Sequence, residues 1–369
     1  MNFQFPIFAL PPAAEALRTE VRDFLADEQR AGLWKRRGDF ASAYDPGFSR
    51  RIGAKGWLGM TWPKAYGGQE RSMLERLVLT EELVAANAPV SAHWIADRQS
   101  GPLLLRYGSE AQRKQFLPAI IAGEAFYSIG MSEPDSGSDL ASVRTRAVKV
   151  DGGWALTGRK VWTTFAHLNH FAIVLARTGE AGASRHEGLS QFIVDLKAQD
   201  LQVRPIVNMA GEEEFNEVLF DNTFVPDGHL VGEPGNGWHQ VTSELAYERS
   251  GPERYLSSIR IVEAAAALAR QQAGPRVREA LGRMAAKLMA LRSMSIAVAA
   301  KLQKGELPNL EAALIKDLGN AFEREQVHVF RKLQSELPPD AELSQALAEA
   351  LSYAPSWTLR GGTREILRG

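Results

Sequence analysis

The chain has 369 residues, 45% hydrophobic and 24% charged, the make-up of a folded globular protein with room for two or three domains. A formal net charge of −1 gives no electrostatic case for nucleic acid or an anionic membrane, and the absence of cysteine excludes disulfides, thiolate metal sites and a cysteine nucleophile. No apolar run approaches the ~20 residues of a spanning helix, and Phe3–Leu10, interrupted by Pro6 and without a basic flank, reads poorly as a signal peptide, so a cytoplasmic location is the expectation.

After Pro11-Pro12 the spacing of Leu17, Val21, Phe24 and Leu25 predicts an amphipathic helix. Asp45-Pro46-Gly47 reads as a break, and helical patterns resume around 74–86 and 112–121. The period then changes. Residues 144–150 alternate loosely, Asp151-Gly152-Gly153 is a turn, and 154–157, 171–176, 191–196, 201–207 and 216–220 are short strands. Residues 178–187 read as an exposed loop, and the Gly- and Pro-rich stretch 226–238 as the exit from the β region.

From Val241 the pattern is helical again. Leu281, Met284, Leu288, Leu291, Met294, Val298 and Leu302 make one long apolar stripe. Pro308-Asn309 signals a helix start, with Leu310, Leu314 and Leu318 on its apolar face, and 342–353 forms a further short helix. The predicted fold is α+β: an N-terminal helical domain (1–125), a small middle β-barrel or sandwich domain (126–236) and a C-terminal four-helix bundle (237–369).

Two stretches carry chemistry. Gly130-Met-Ser-Glu-Pro-Asp-Ser-Gly-Ser-Asp139 is small and polar, so its backbone can approach a ligand closely and its hydroxyls can donate or accept. Behind it, Gly158-Arg-Lys-Val-Trp-Thr-Thr164 sets a tryptophan beside two threonines, which suits a flat aromatic ligand with a polar edge. Taken singly, each also reads as an ordinary polar loop and a core tryptophan. His167 and His170 lack the further ligands a metal site needs, so no metal is expected, and Glu212-Glu213-Glu214 reads as a solvated turn.

Together the two stretches resemble the flavin-binding signature of the acyl-CoA dehydrogenase family. Five further blocks follow that family's order: Gly56-Trp-Leu-Gly59 with Trp62-Pro-x-x-Tyr-Gly-Gly68, Glu81-Glu82-Leu83, Tyr107-Gly-Ser-Glu-x-Gln-x-x-x-Phe-Leu-Pro118, and Gly361-Gly-Thr-Arg-Glu-Ile366. The resemblance implies an FAD enzyme that desaturates the α,β bond of an acyl-CoA. A carboxylate would take the α-proton, and the β-hydrogen would leave as hydride to the flavin. Position by position, it places the Ser132 hydroxyl at the pyrimidine end of the flavin, flanked by Gly130 and Met131. Ser138 would meet a flavin phosphate or acyl-CoA. Trp162 would lie along the isoalloxazine, with Thr164 bonding near its reactive nitrogen and Thr163 between them. Thr363 and Glu365 would reach the ADP half.

The family's base stands at one of two positions. Just before the Gly-Thr of the C-terminal motif this chain has Gly361, which cannot titrate. The other position corresponds to Glu248, in Leu245-Ala-Tyr-Glu-Arg-Ser-Gly-Pro-Glu-Arg254, so Glu248 is the expected base. Glu253 is a rival about 140° around a continuous helix. Two family blocks are missing: residues 270–279 hold no Arg-x-x-Phe-Gly, and 335–341 replace a Gly-Gly loop. The resemblance also implies an electron-transfer flavoprotein or similar acceptor and a homodimer or homotetramer. Alternatives are a non-catalytic or heteromeric partner subunit, motivated by Gly361 and the missing blocks, and a flavin oxidase or monooxygenase on the same scaffold.

Overall fold

The computed structural model describes residues 3–36, 38–179, 184–243 and 249–368. The chain forms two compact units, and sequence order does not separate them. One comprises 1–43, 71–89 and 245–369; the other comprises 44–70 and 90–244.

The second unit holds the sheet. Its strands are β1 (Tyr127–Gly130), β2 (Arg146–Val150), β3 (Gly153–Lys160), β4 (Phe171–Arg177), β5 (Leu189–Asp195), β6 (Leu201–Ile206), β7 (Phe215–Pro226) and β8 (Leu230–Val231). The order is β6-β7-β3-β2-β4-β5-β8, with β1 parallel to β4. Period-two alternation divides β4 between two cores. Ala172, Val174 and Ala176 join Trp154, Leu156, Phe192, Val218, Phe220 and Val225 inside the curled sheet, so strands from both halves line one interior. Ile173 points the other way, to Leu104, Phe116, Leu117 and Ile120 of the helices Gly101–Tyr107 and Glu110–Ile121. Two strands escape the sequence pattern because they are so short: β1, which precedes the Gly130–Asp139 stretch, and two-residue β8, inside the predicted exit segment. Asp45-Pro46-Gly47 starts a helix instead of breaking the chain: Asp45 caps Pro46–Ala54 by accepting from Phe48 N at 2.9 Å, with Pro46 at the first position, where its missing N–H costs nothing.

The first unit is helical. Helices Ile259–Ala269, Pro275–Gln303, Asn309–Leu333 and Ala341–Trp357 make the bundle, and Pro12–Arg30 and Met73–Ala85 pack in the same unit. Leu17, Val21 and Leu25 are buried as the spacing requires, as are Met284, Leu291, Val298 and Leu302 of the long stripe. The Asn309–Leu333 helix is turned the other way from the sequence expectation. Leu310 and Leu318 are 43% and 44% exposed, while Lys316, Asn320, Glu323 and Gln326 are fully buried. For Glu323 the reason is its neighbour. Around 250–258 the chain leaves the α-helix for a 3-10 turn, Pro252–Arg254, and its backbone needs partners. Ser257 N donates to Glu323 Oε1 at 2.8 Å, and a methyl group at Gly319 would lie 2.3 Å from Arg254 O. Among the described residues no helix is long and apolar enough to cross a membrane.

Glu81 and Glu82, on the Met73–Ala85 helix, tie three helices together. Arg18 bonds both carboxylates (2.8 Å to Glu81), Arg22 lies 2.7 Å from Glu82 and Arg292 lies 2.5 Å from Glu81. Glu81→Ala deprives two guanidiniums of a partner at once. Breaking a buried pair costs about 3–5 kcal/mol, and because the Arg292 side chain is 37% exposed the lower end, about 3 kcal/mol, is expected in urea unfolding. A loss under about 1 kcal/mol would show that the cluster is solvent-screened.

Candidate active site

β1 delivers Gly130, and the chain then turns sharply. Glu133 and Ser136 exchange backbone bonds, N to O at 2.7 Å and 3.1 Å, and Ser136 Oγ donates to Asp139 O at 2.8 Å. This tight turn leaves Pro134, Asp135, Gly137 and Ser138 exposed, and Arg185 holds Asp139 at 2.8 Å. The end of β3 closes against the start of the turn, with Val161 N donating to Ser132 O at 2.9 Å. Gly158 is required there, since a methyl group would lie 2.5 Å from Thr145 Oγ1.

Beneath the turn lies a buried ion pair that motif spacing alone could not reveal. The fully buried Lys160 Nζ lies 2.8 Å from Glu133 Oε1 and donates to Met131 O at 2.9 Å. The Glu133 carboxylate also accepts from Arg144 N at 2.7 Å and Thr145 N at 2.9 Å. It thus gathers the exit of β1, the entry to β2 and the end of β3. Burial pushes the Lys160 ammonium down to about 8 despite the opposing carboxylate. Burial would also raise Glu133, but the charge of Lys160 and the converging donors outweigh it and leave Glu133 below the ordinary carboxylate range. In the sequence Lys160 and Glu133 stand among other charged residues, Arg159, Asp135 and Asp139, and nothing in the spacing singles them out.

Past Lys160 the backbone enters the left-handed region at Trp162 (φ +60) and leaves the indole 57% exposed, edge-on to Phe215 at 6.0 Å. Such a conformation costs a non-glycine residue about 1–3 kcal/mol and is characteristic of functional sites. Thr163 is fully buried. Its N–H donates to Asn216 O at 3.0 Å, its carbonyl accepts from Asn216 Nδ2 at 2.9 Å, and its Oγ1 has no partner among the described residues. Thr164 O accepts from Ser128 Oγ at 2.8 Å. Gly130, Met131, Ser132, Trp162, Thr163 and Thr164 therefore share one edge of the β-rich unit, while Ser138 sits farther along the exposed turn. An exposed indole, hydroxyls and a backbone stripped of side chains fit a flat heteroaromatic cofactor with a polar edge. His167 and His170 serve the fold. His167 Nδ1 lies 2.8 Å from Asn216 Oδ1, and His170 Nδ1 accepts from Phe126 N at 3.1 Å. Among the described residues no three His, Asp or Glu side chains are grouped to hold a metal.

Thr363 and Glu365 belong to the helical unit. Thr363 precedes the short helix Arg364–Arg368, with Ile366 N donating to its Oγ1 at 3.4 Å, and Glu365 is exposed. Arg249 Nε donates to Gly361 O at 3.1 Å and Lys316 Nζ to Gly362 O, so the glycine turn is held by two cations. Glu248 lies outside the described residues. Glu253 is buried in the 3-10 turn, so the 140° expected of a continuous helix does not apply.

The pair makes a testable contribution on the acid side. Because the folded Glu133 value is depressed, its stabilisation is present above the unfolded value of 4.5 and is lost as pH falls through the lower folded value. Glu133→Gln should flatten the fall of the thermal midpoint below that pH. An acid limb identical to that of the wild type would remove Glu133 from the account.

Three comparisons bear on identity. Family models described as acyl-CoA dehydrogenase N-terminal, middle and C-terminal domains match residues 11–124, 128–223 and 235–369. Acyl-CoA dehydrogenase IpdE1 of Mycobacterium tuberculosis is 36% identical over 77% of this chain and 76% of its own length. Acyl-CoA dehydrogenase FadE34 of the same organism is 41% identical over 53% of this chain but 27% of that protein. Among solved structures, the Tcur3481-Tcur3483 steroid ACAD superposes with a TM-score of 0.85 at 30% identity, over 98% of this chain and 97% of that one. The ChsE4-ChsE5 complex from Mycobacterium tuberculosis gives 0.84 at 28%, over 98% and 96%. With all three domain models matched in order along the chain, this protein is an enzyme of the acyl-CoA dehydrogenase family.

Proposed function

We propose that the chain holds FAD and desaturates the α,β bond of an acyl-CoA thioester, with Glu248 as the base. The observation that supports it most is the shared edge of the β-rich unit, where Ser132 and Trp162 are tied through Val161 and Lys160. Ser132, with the Gly130–Met131 backbone, would hold the pyrimidine end of the flavin. Trp162 would pack along the ring, Thr164 would bond near its reactive nitrogen and Thr163 would brace the segment. Ser138 would meet a phosphate, and Thr363 and Glu365 the ADP half. Bound flavin supplies the acceptor for the β-hydride. Glu248 removes the α-proton, a task that needs a carboxylate within reach in a dry pocket. Gly361 leaves it as the single acid of the two family positions, which avoids the repulsion that would keep one of two carboxylates protonated. A side-chain-free Gly361 and the likeness to a steroid ACAD favour a bulky, polycyclic acyl group. Electrons would pass to an electron-transfer flavoprotein or similar acceptor, in the cytoplasm.

A second reading concerns assembly. The neighbours carrying two component names, together with the missing Arg-x-x-Phe-Gly and Gly-Gly blocks, favour a heteromer over the homodimer or homotetramer. At the first of these places Gly274 precedes the Pro275–Gln303 helix, with no aromatic residue among 270–279. A yellow oligomer purified from this chain alone supports the homomer; a colourless chain that gains flavin on co-expression with a second family member supports the heteromer.

Trp162→Ala should leave fold stability within about 0.5 kcal/mol, since the indole is exposed, yet weaken FAD retention and alter the flavin spectrum. Thr164→Val should change the potential more than the affinity. An unchanged spectrum and affinity in both variants would reject these roles. Glu248→Gln should cut anaerobic flavin bleaching by acyl-CoA by ~10²–10⁴ while FAD stays bound. Gly361→Glu in that background should restore part of it. The restoration is limited because φ is +67 there, a conformation costing a residue with a Cβ about 1–2 kcal/mol. Bleaching by Glu248→Gln at the wild-type rate would exclude Glu248. Oxygen consumed in step with turnover would instead indicate an oxidase or monooxygenase.

A further inference from the structure

We propose that Lys160 is a positioning residue that sets the orientation of the Met131–Ser132 peptide and thereby biases the site toward the reduced form of the flavin. The inference rests on the FAD reading above and deepens it.

The geometry starts from the carbonyl. Met131 O accepts from Lys160 Nζ at 2.9 Å, so it is drawn inward, toward a fully buried ammonium. The described peptides are all trans, and a planar trans peptide sets N–H opposite C=O. The Ser132 N–H therefore points away from Lys160. The next carbonyl, Ser132 O, is fixed to Val161 N at 2.9 Å, so the peptide is pinned at both ends. Met131 and Ser132 are themselves only half-buried, so the outward N–H lies on an accessible stretch of backbone.

An outward N–H at this place has chemical value. Reduction of a flavin adds negative charge at its pyrimidine end, which a fixed donor stabilises more than it does the oxidised ring. Without Lys160 the Met131 carbonyl loses its inward donor, and the peptide can rotate to present an acceptor where a donor stood. A tie between strands alone does not require this chemistry. Buried ion pairs are often replaceable by apolar residues at no loss of stability, and Glu133 already gathers the Arg144 and Thr145 amides. The ammonium adds what those two bonds do not, a donor to the Met131 carbonyl.

The test uses FAD-loaded protein and four forms: wild type, Glu133→Gln, Lys160→Met with Glu133→Gln, and Lys160→Gln with Glu133→Gln. The paired changes avoid leaving the Glu133 carboxylate buried without its cation. Affinity for oxidised FAD and the two-electron potential of the bound flavin are measured anaerobically. Lys160→Met with Glu133→Gln should bind reduced FAD about tenfold more weakly relative to oxidised FAD than Glu133→Gln alone does. That tenfold corresponds to a potential about 30 mV more negative. Lys160→Gln, whose amide can still donate, should recover most of the shift, a rescue that a purely structural role would not produce. Equal potentials in all four forms overturn the inference while leaving the FAD reading intact. A wild type that binds no FAD overturns both. Should the Met variant not fold, wild type alone decides. Its ¹⁵N-labelled Ser132 amide should shift when FAD binds and again when the flavin is reduced, and an amide unmoved at both steps refutes the inference.

Discussion

The ammonium of Lys160, buried and shared between Glu133 and the Met131 carbonyl, is the contact on which the edge of the β-rich unit depends. A lone buried charge would cost several kcal/mol, so the pair has to be complete or absent. Completing it draws three chain segments together. The turn after β1, the start of β2 and the end of β3 each give an atom to the cluster, and Gly158 lets the β3 backbone approach Thr145. The exposed Trp162 follows directly from the end of this clamp. Its left-handed backbone is held on one side by Val161 on Ser132 and on the other by the paired bonds between Thr163 and Asn216. The strain is local, and of the two anchors that maintain it the Thr163–Asn216 pair is fully buried and the Val161–Ser132 bond half-buried.

The helical unit meets a different problem by similar means. Its interior includes non-helical backbone, at 250–258 and at the Gly361-Gly362 turn, and such backbone cannot satisfy its own polar groups. The Asn309–Leu333 helix therefore buries polar groups beside its apolar ones, Lys316 and Glu323 bonding that backbone among Ile315, Phe322, Val327 and Phe330, and leaves Leu310 and Leu318 half-exposed. Burial without a compensating positive charge at bonding distance raises Glu323 to about 7, the nearest guanidinium, Arg360, standing 3.9 Å away. Glu81 and Glu82 act as the hub for Arg18, Arg22 and Arg292, the last of them on a bundle helix.

Much was legible in the sequence because it is written in short-range periods. Helix Pro12–Arg30 follows from Leu17, Val21 and Leu25, and the long stripe of Pro275–Gln303 from its 3.6 repeat. β4 reads as a strand from its apolar run Phe171–Ala176 and β5 from Phe192-Ile193-Val194, and the α, β, α order of the family models follows from those periods together with the quoted motifs. The two stretches around Ser132 and Trp162 were recognisable one at a time by composition, and their partnership was an inference from resemblance.

Other features were decided by tertiary structure. A leucine every four residues looks like a core face whichever way a helix is turned, and only the folded chain shows that Ile315, Phe322, Val327 and Phe330, with Lys316 and Glu323 beside them, make the buried face of Asn309–Leu333. The division into two units could not be read along the chain either, because residues 71–89 return to the helical unit between two segments of the other. Above all, Lys160 and Glu133 stand 27 positions apart, a separation with no period to betray it. The sequence by itself determined which residues can carry charge and which elements they sit on. Which charges meet was decided by the folded chain, because a salt bridge depends on a few ångströms in space and on the exclusion of water, and neither is encoded in the spacing of residues along one strand or helix.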